Sequence, residues 1–145
     1  MVEEKLQHSG QRGGTLAIDL GSTTTVVAYQ EATSTTADLL NLPAICSRAG
    51  EIPSLVWNAT QQPLIGRQVL ESGLNDSTDI RLHRDFKSRI GQADAPDQEA
   101  ARWAGEQLLQ QIWSRLPPDL AIERLVLTAP CLLYTSPSPR DLLKS

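Results

Sequence analysis

The sequence is poor in aromatic residues and in cysteine. Aromatic side chains make up 4% of the 145 residues, and the two cysteines are Cys46 and Cys131. A core made from this composition must be mainly aliphatic. The two thiols are far apart in sequence and match no metal-ligand spacing. A reduced, cytoplasmic setting is therefore the expectation.

Long apolar runs are also missing. No stretch approaches the roughly 18 consecutive apolar residues of a membrane span. The opening MVEEKLQHSGQRGG is polar and lacks the apolar segment of a secretory signal. The net charge of −4 argues against a nucleic-acid or membrane-surface partner. The length allows one modest domain, preceded by a predicted flexible leader over residues 1–14.

A β-hairpin is predicted where the apolar pattern begins. Leu16 to Leu20 form an apolar run that contains one acid, Gly21 interrupts it, and Val26 to Tyr29 resume it. Two β-rich runs around a glycine turn are typical of a hairpin.

Further strands are predicted downstream. Leu39 to Cys46 is apolar with an internal proline, which favours an edge strand. A strand is expected to start just after Pro53, and PLIGRQVLESG begins apolar and becomes helix-like. The basic segment DIRLHRDFKSRIGQ is predicted to be a short helix or turn, with His83 at the surface. IERLVLTAP is predicted to be a strand buried on both faces.

One long helix is predicted before this last strand. Asp94 and Asp97 flank Pro96, which is favourable chemistry for a helix start, and Pro117-Pro118 end the helix. The apolar positions with helical spacing are Ala101, Ala104, Leu108 and Ile112. A hairpin-led mixed sheet with a crossover helix indicates an α/β fold.

The turn of the hairpin has the composition of an anion site. Gly21 lets a ligand approach the backbone, and Ser22, Thr23 and Thr24 add hydroxyl donors beside the amides. Asp19 would repel a phosphate unless a cation intervened, and Mg²⁺ held through water suits that role. Gly-Ser-Thr is equally compatible with a plain hairpin turn. The acid inside an apolar strand favours the phosphate site, because an unpaired buried carboxylate is costly.

The segment AIDLGSTTTVVAY resembles the first phosphate loop of the actin-like ATPase superfamily. The 70-kDa heat-shock (DnaK-like) chaperone branch matches best. IPSLVWN, PLIGRQVLESG, FKSRIGQ and RLVLTAP are similar to its later segments, in the same order. The resemblance implies a ribonuclease-H-like, actin-type ATPase fold over residues 15–130, of which this chain holds only the first lobe.

The same resemblance implies roles for individual residues. Asp19 would orient Mg²⁺ through water, and Gly21, Ser22, Thr23 and Thr24 would cradle the β- and γ-phosphates of ATP or ADP. A lysine that reaches the γ-phosphate and positions the attacking water corresponds to Lys87. Pro130 would correspond to a proline that relays the nucleotide state. Ser88 departs from the family pattern, which usually has an arginine directly after this lysine.

Lys87 also has a simpler interpretation. It lies in a basic stretch with Arg81, Arg84 and Arg89, where a solvated lysine would be ordinary. The context FKSRIGQ favours the catalytic interpretation.

The implied function is ATP binding and hydrolysis coupled to protein folding in a longer parent, with unfolded client peptides and co-chaperones as partners. The fragment alone is expected to bind ATP weakly without turning it over. Two alternatives remain open. One is another ATPase or sugar kinase of the superfamily, and the other is a non-catalytic nucleotide-binding module.

Residues 131–145 are interpreted as non-native. CLLYTSPSPRD, residues 131–141, matches the translation of a transposon-end adapter used in short-read DNA libraries. Proline-directed phosphorylation of Ser136 and Ser138, or a proline-rich surface loop, are the other interpretations. The source DNA decides between them, since other codons at 131–141 would contradict the adapter.

Overall fold

The computed structural model describes residues 13–90 and 97–128. Residues 1–12 of the leader predicted over residues 1–14, the predicted helix-start residues Asp94 and Pro96, the predicted relay residue Pro130 and the proposed adapter segment lie outside these ranges.

The larger sheet is mixed and begins with the predicted hairpin. Its first strands are β1 (Gly14–Asp19) and β2 (Thr24–Gln30), which pair antiparallel with Asp19 opposite Val26. Two short strands, β3 (Asp38–Leu39) and β4 (Glu51–Pro53), pair antiparallel with different parts of β2. The hairpin prediction is confirmed. Alternating side chains explain why Leu16 and Ile18 are buried while Thr15 and Ala17 are only partly buried.

The last strand of this sheet is parallel to β1. Strand β8 (Ile122–Thr128) places Thr128 beside Asp19. The prediction that this strand is buried on both faces is wrong, because Ile122 is its one fully buried residue and Val126 is 44% exposed. Within the described ranges β8 pairs only with β1.

The predicted edge strand over Leu39 to Cys46 is mostly a turn. The amides of Ile45 and Cys46 both donate to Leu42 O, at 3.0 and 2.9 Å. Only Leu39 of the predicted span is in β3. Pro43 has no amide hydrogen to continue a ladder, and a local turn satisfies the neighbouring amides instead.

The strand expected to start just after Pro53 begins at Val56 and lies in a second sheet. Ser54 and Leu55 separate β4 from β5 (Val56–Trp57). Strand β5 is the centre of a small antiparallel sheet, between β6 (Leu64–Ile65) and β7 (Leu82–His83). The chain therefore changes sheet at Ser54.

The helices follow the sequence pattern closely. Helix α1 (Arg67–Glu71) confirms the helix-like segment, and a 3₁₀ turn (Phe86–Ser88) lies in the basic segment. Helix α2 (Gln98–Ser114) confirms the long helix. Its predicted apolar face is buried and belongs to one core cluster that also contains Leu16, Ile18 and Phe86. The chain thus has a mixed α/β fold.

None of the helices in the described residues is long and apolar enough to cross a membrane.

Candidate phosphate-binding turn

The candidate site is the turn that joins β1 to β2. Asp19 ends β1 and is exposed, which corrects the expectation of a buried acid. The pairing with β8 continues one residue beyond Asp19, because Leu20 N donates to Thr128 O at 2.9 Å. The turn therefore lies at the carboxyl ends of two parallel strands, the edge where α/β sheets usually bind ligands.

Gly21 is required by the close approach of the chain to itself. A Cβ atom at this position would lie 2.1 Å from Thr24 O and 3.2 Å from Thr24 C. Both are backbone atoms of the first residue of β2, so they cannot move aside as a flexible side chain could. Any larger residue would therefore force the turn open.

The buried Ser54 holds this turn in place through hydrogen bonds. It is 2% exposed, its hydroxyl donates to Gly21 O at 2.8 Å, and its amide donates to Thr23 O at 2.9 Å. The Thr25 hydroxyl, which is fully buried, lies 2.8 Å from the Ser54 hydroxyl. Sequence reasoning did not single out Ser54, although it forms part of the segment IPSLVWN.

The surface of the turn carries polar groups. Ser22 and Thr23 are exposed, and Thr24 is half-buried. No hydrogen-bond partner meets the Ser22 amide among the residues that the structure describes. The structure therefore brings together five of the sequence-predicted residues: Asp19, Gly21, Ser22, Thr23 and Thr24.

Thr128 is a further neighbour that sequence reasoning missed. As the register partner of Asp19 on β8, it is exposed on the same face of the sheet. Only the parallel pairing of distant strands brings it to the turn, so no local signal in the sequence could have indicated it.

Lys87 follows a strand of the small sheet, whereas the turn belongs to the larger sheet. It occupies the 3₁₀ turn after β7, where the buried Phe86 anchors the backbone and α2 packs against the element. Ser54 and Leu55 precede β5, which pairs with β7, the strand that precedes the 3₁₀ turn of Lys87.

The basic residues around Lys87 have structural roles. Arg81 pairs with Asp79 through Nη2 at 2.9 Å and lies over the Trp57 ring at 4.8 Å from its centre. An Arg84 nitrogen donates to Asn75 O at 3.3 Å, and an Arg89 nitrogen donates to Arg84 O at 2.7 Å.

Arg89 also approaches Asp97. Its Nε atom lies 3.2 Å from an Asp97 oxygen, close enough for an ion pair but without hydrogen-bond geometry. Lys87, by contrast, has neither an ion pair nor a hydrogen bond to its side chain within the described ranges.

Asp79 is the acid most affected by this arrangement. Its hydrogen bonds with the Arg81 side chain and amide lower the pKa of the carboxyl to about 2. Because the pair is exposed to solvent, it orders the turn before β7 more than it stabilises the whole fold.

His83 is half-buried, not at the surface as predicted. Its ring lies 5.2 Å from the Trp103 ring, centre to centre. Burial is the main cause that lowers the pKa of His83, the positive charge of Arg89 lowers it further, and Asp97 acts in the opposite direction.

This lowered pKa predicts that acid weakens the fold near neutral pH. The unfolded chain takes up a proton at His83 near the ordinary value of about 6.5, before the folded chain does. The free energy of unfolding should therefore fall as pH drops below about 6.5, by at most about 1.4 kcal/mol per pH unit for one proton, until the folded pKa is passed. Urea unfolding between pH 8 and 5.5 measures this slope.

His83→Gln is the matched control because it keeps a polar side chain that does not titrate. We expect its unfolding free energy to vary less over the same pH range. Equal slopes in the two proteins would contradict the assignment to His83.

Within residues 13–90 and 97–128, no group of three or more His, Cys, Asp or Glu side chains is arranged to hold a metal ion directly. Asp19 is a single exposed carboxylate beside the turn, a donor suited to a hydrated cation.

No protein family model matches the chain, and no curated protein matches it.

Proposed function

We propose that the turn binds the phosphates of ATP or ADP and that the chain is the first lobe of an actin-type ATPase fold. The observation that carries the proposal is the turn itself. Gly21 leaves room for a close approach, Asp19 is exposed beside it, and the buried Ser54 holds the turn at the carboxyl ends of β1 and β8.

The residues of the turn suit a Mg²⁺-nucleotide. Backbone amides and the exposed hydroxyls of Ser22 and Thr23 donate to phosphate oxygens. The Asp19 carboxylate accepts hydrogen bonds from water on Mg²⁺, which keeps several of its waters when bound. The cation neutralises phosphate charge, so a carboxylate next to the anion becomes favourable.

Lys87 is the proposed partner for the γ-phosphate. The arginines around it have structural contacts, whereas Lys87 has no partner for its charge among the described residues. A fixed cation near a transferring phosphoryl group stabilises the developing charge. Lys87 would orient the γ-phosphate and the attacking water.

In the proposed parent, ATP hydrolysis drives a DnaK-like chaperone cycle in the cytoplasm, with unfolded client peptides and co-chaperones as partners. The resemblance of five segments in order supports this proposal. A single lobe supplies only one side of such a site, so this chain should bind nucleotide weakly and leave it intact.

Nucleotide titration of the whole chain tests the site. Mg²⁺-ATP should shift the amide resonances of residues 19–24 with a dissociation constant on the order of 1 mM, equivalent to about −4 kcal/mol. Asp19→Asn should weaken the response in Mg²⁺. Asp38→Asn removes an exposed carboxylate from β3 and should change nothing. Lys87→Ala should reduce the preference for ATP over ADP, and Arg84→Ala should preserve it.

Three results would count against parts of the proposal. Unchanged amide resonances of residues 19–24 at a nucleotide concentration about 10 times the expected dissociation constant would exclude the phosphate site. Micromolar affinity for ATP, or ATP hydrolysis by this chain, would contradict the proposal that the chain supplies only one side of the nucleotide site. A preserved ATP preference in Lys87→Ala would exclude its γ-phosphate role.

A further inference from the structure

Two buried hydroxyl groups lie directly beneath the proposed phosphate turn. Ser54 is 2% exposed and Thr25 is fully buried, in a core that is otherwise almost entirely apolar. We infer that Ser54, supported by Thr25, is a positioning residue that sets the orientation of the Gly21–Thr24 peptide groups toward the ligand. The ligand part of this inference rests on the proposed function.

The direction of the hydrogen bonds follows from the number of protons. A serine hydroxyl has one proton, and Ser54 donates it to Gly21 O at 2.8 Å. The 2.8 Å contact with Thr25 must therefore have Thr25 as the donor and Ser54 as the acceptor. The result is a directed chain from Thr25 to Ser54 to Gly21, in which each bond polarises the next.

Ser54 binds the turn at two successive points. Its hydroxyl fixes the carbonyl of Gly21, and its backbone amide fixes the carbonyl of Thr23 at 2.9 Å. Both carbonyl dipoles therefore have their negative ends directed at the buried Ser54. If the peptide group after Gly21 were rotated by half a turn, its carbonyl oxygen would face the proposed phosphate and repel it.

The geometry of the peptide bond also fixes the direction of the amides that follow these two carbonyls. All peptide bonds of the described residues are trans, and in a planar trans peptide the N–H points opposite to the C=O. Fixing Gly21 O toward Ser54 thus directs the Ser22 N–H away from the core. Fixing Thr23 O toward the Ser54 amide turns the Thr24 N–H to the opposite side of β2, toward β1. The Ser22 amide has no protein partner among the described residues, which leaves it available to a phosphate oxygen.

Comparison of variants of the whole chain by NMR tests this inference. The ligand-free readout is the carbonyl carbon shift of Gly21, which reports the hydrogen bond that it accepts. The ligand readout is the affinity for pyrophosphate with Mg²⁺. Ser54→Ala should shift the Gly21 carbonyl carbon and weaken pyrophosphate binding about tenfold, the effect of losing one hydrogen bond.

Thr25 provides a second and milder pair of variants. Thr25→Val removes the donor to Ser54 and should change both readouts in the same direction. Thr25→Ser keeps the hydroxyl and should restore both toward wild type. This pair keeps the test decisive if Ser54→Ala fails to fold.

Ile112→Val distinguishes a positioning role of Ser54 from a general loss of stability. This substitution removes one buried methyl group from the core on α2 and changes no residue of the turn. It should lower stability and leave both readouts unchanged. Equal loss of pyrophosphate affinity in Ile112→Val and Ser54→Ala would overturn the inference. So would an unchanged Gly21 carbonyl shift in Ser54→Ala and Thr25→Val. Absence of pyrophosphate binding in the wild-type chain would instead overturn the proposed function, while the ligand-free readout still decides whether Ser54 orients the turn.

Discussion

Gly21→Ala is expected to destabilise the chain and to abolish phosphate binding at the turn. The added methyl group would lie 2.1 Å from Thr24 O, far inside any permitted contact. The methyl group would meet a backbone atom, which cannot move aside as a flexible side chain could, so relief requires separating β1 from β2 at the turn. Overpacking of this kind costs about 3 kcal/mol or more of unfolding free energy where relaxation is restricted. Urea unfolding and pyrophosphate titration measure the two effects.

Gly73→Ala is the control for this substitution. Gly73 has φ of +69°, and a Cβ there would meet nothing within 4 Å. Its cost is only the left-handed backbone strain of about 1–2 kcal/mol. Both variants gain similarly from reduced freedom of the unfolded chain. Equal stability of the two variants, or full phosphate binding by Gly21→Ala, would contradict the close-packed turn.

Phe86→Ala should cause the second large effect. Phe86 is 1% exposed and belongs to the core cluster, and the 3₁₀ turn that carries it packs against α2. Removing a buried aromatic ring costs about 3–5 kcal/mol because the surrounding atoms fill the cavity only partly. That is a large fraction of the 5–15 kcal/mol typical of a domain. Guanidinium unfolding followed by tryptophan fluorescence measures it.

The adjacent Lys87→Ala supplies the comparison. Lys87 is only half-buried and has no charged partner among the described residues, so its loss should change stability by about 0.5 kcal/mol or less. Phe86→Leu should lie between the two variants. A loss below about 1 kcal/mol in Phe86→Ala would show that the ring does not anchor this segment.

Local patterns predicted the hairpin and the long helix correctly. The apolar runs on either side of Gly21 and the helical spacing from Ala101 to Ile112 lie within short stretches of chain. Side-chain periodicity states directly which face of such an element is buried. The mixed α/β class follows from the order of these elements.

Local patterns failed where the chain changes partner. The strand expected just after Pro53 corresponds to β5, but the short strand β4 directly before it, which pairs in the larger sheet, was not predicted. Strand β8 is apolar enough for a buried position, but its environment depends on which strands lie beside it. Neither outcome is encoded in the composition of the segment alone.

The sequence by itself determined the chemistry of the candidate turn. Asp19, Gly21, Ser22, Thr23 and Thr24 are neighbours along the chain, so any hairpin here places a carboxylate, a glycine and three hydroxyls together. Only the tertiary structure decided how the turn is held and what borders it. Ser54 lies 33 residues from Gly21, and Thr128 arrives through parallel pairing with β1. Such contacts depend on the packing of distant segments, which local periodicity does not specify.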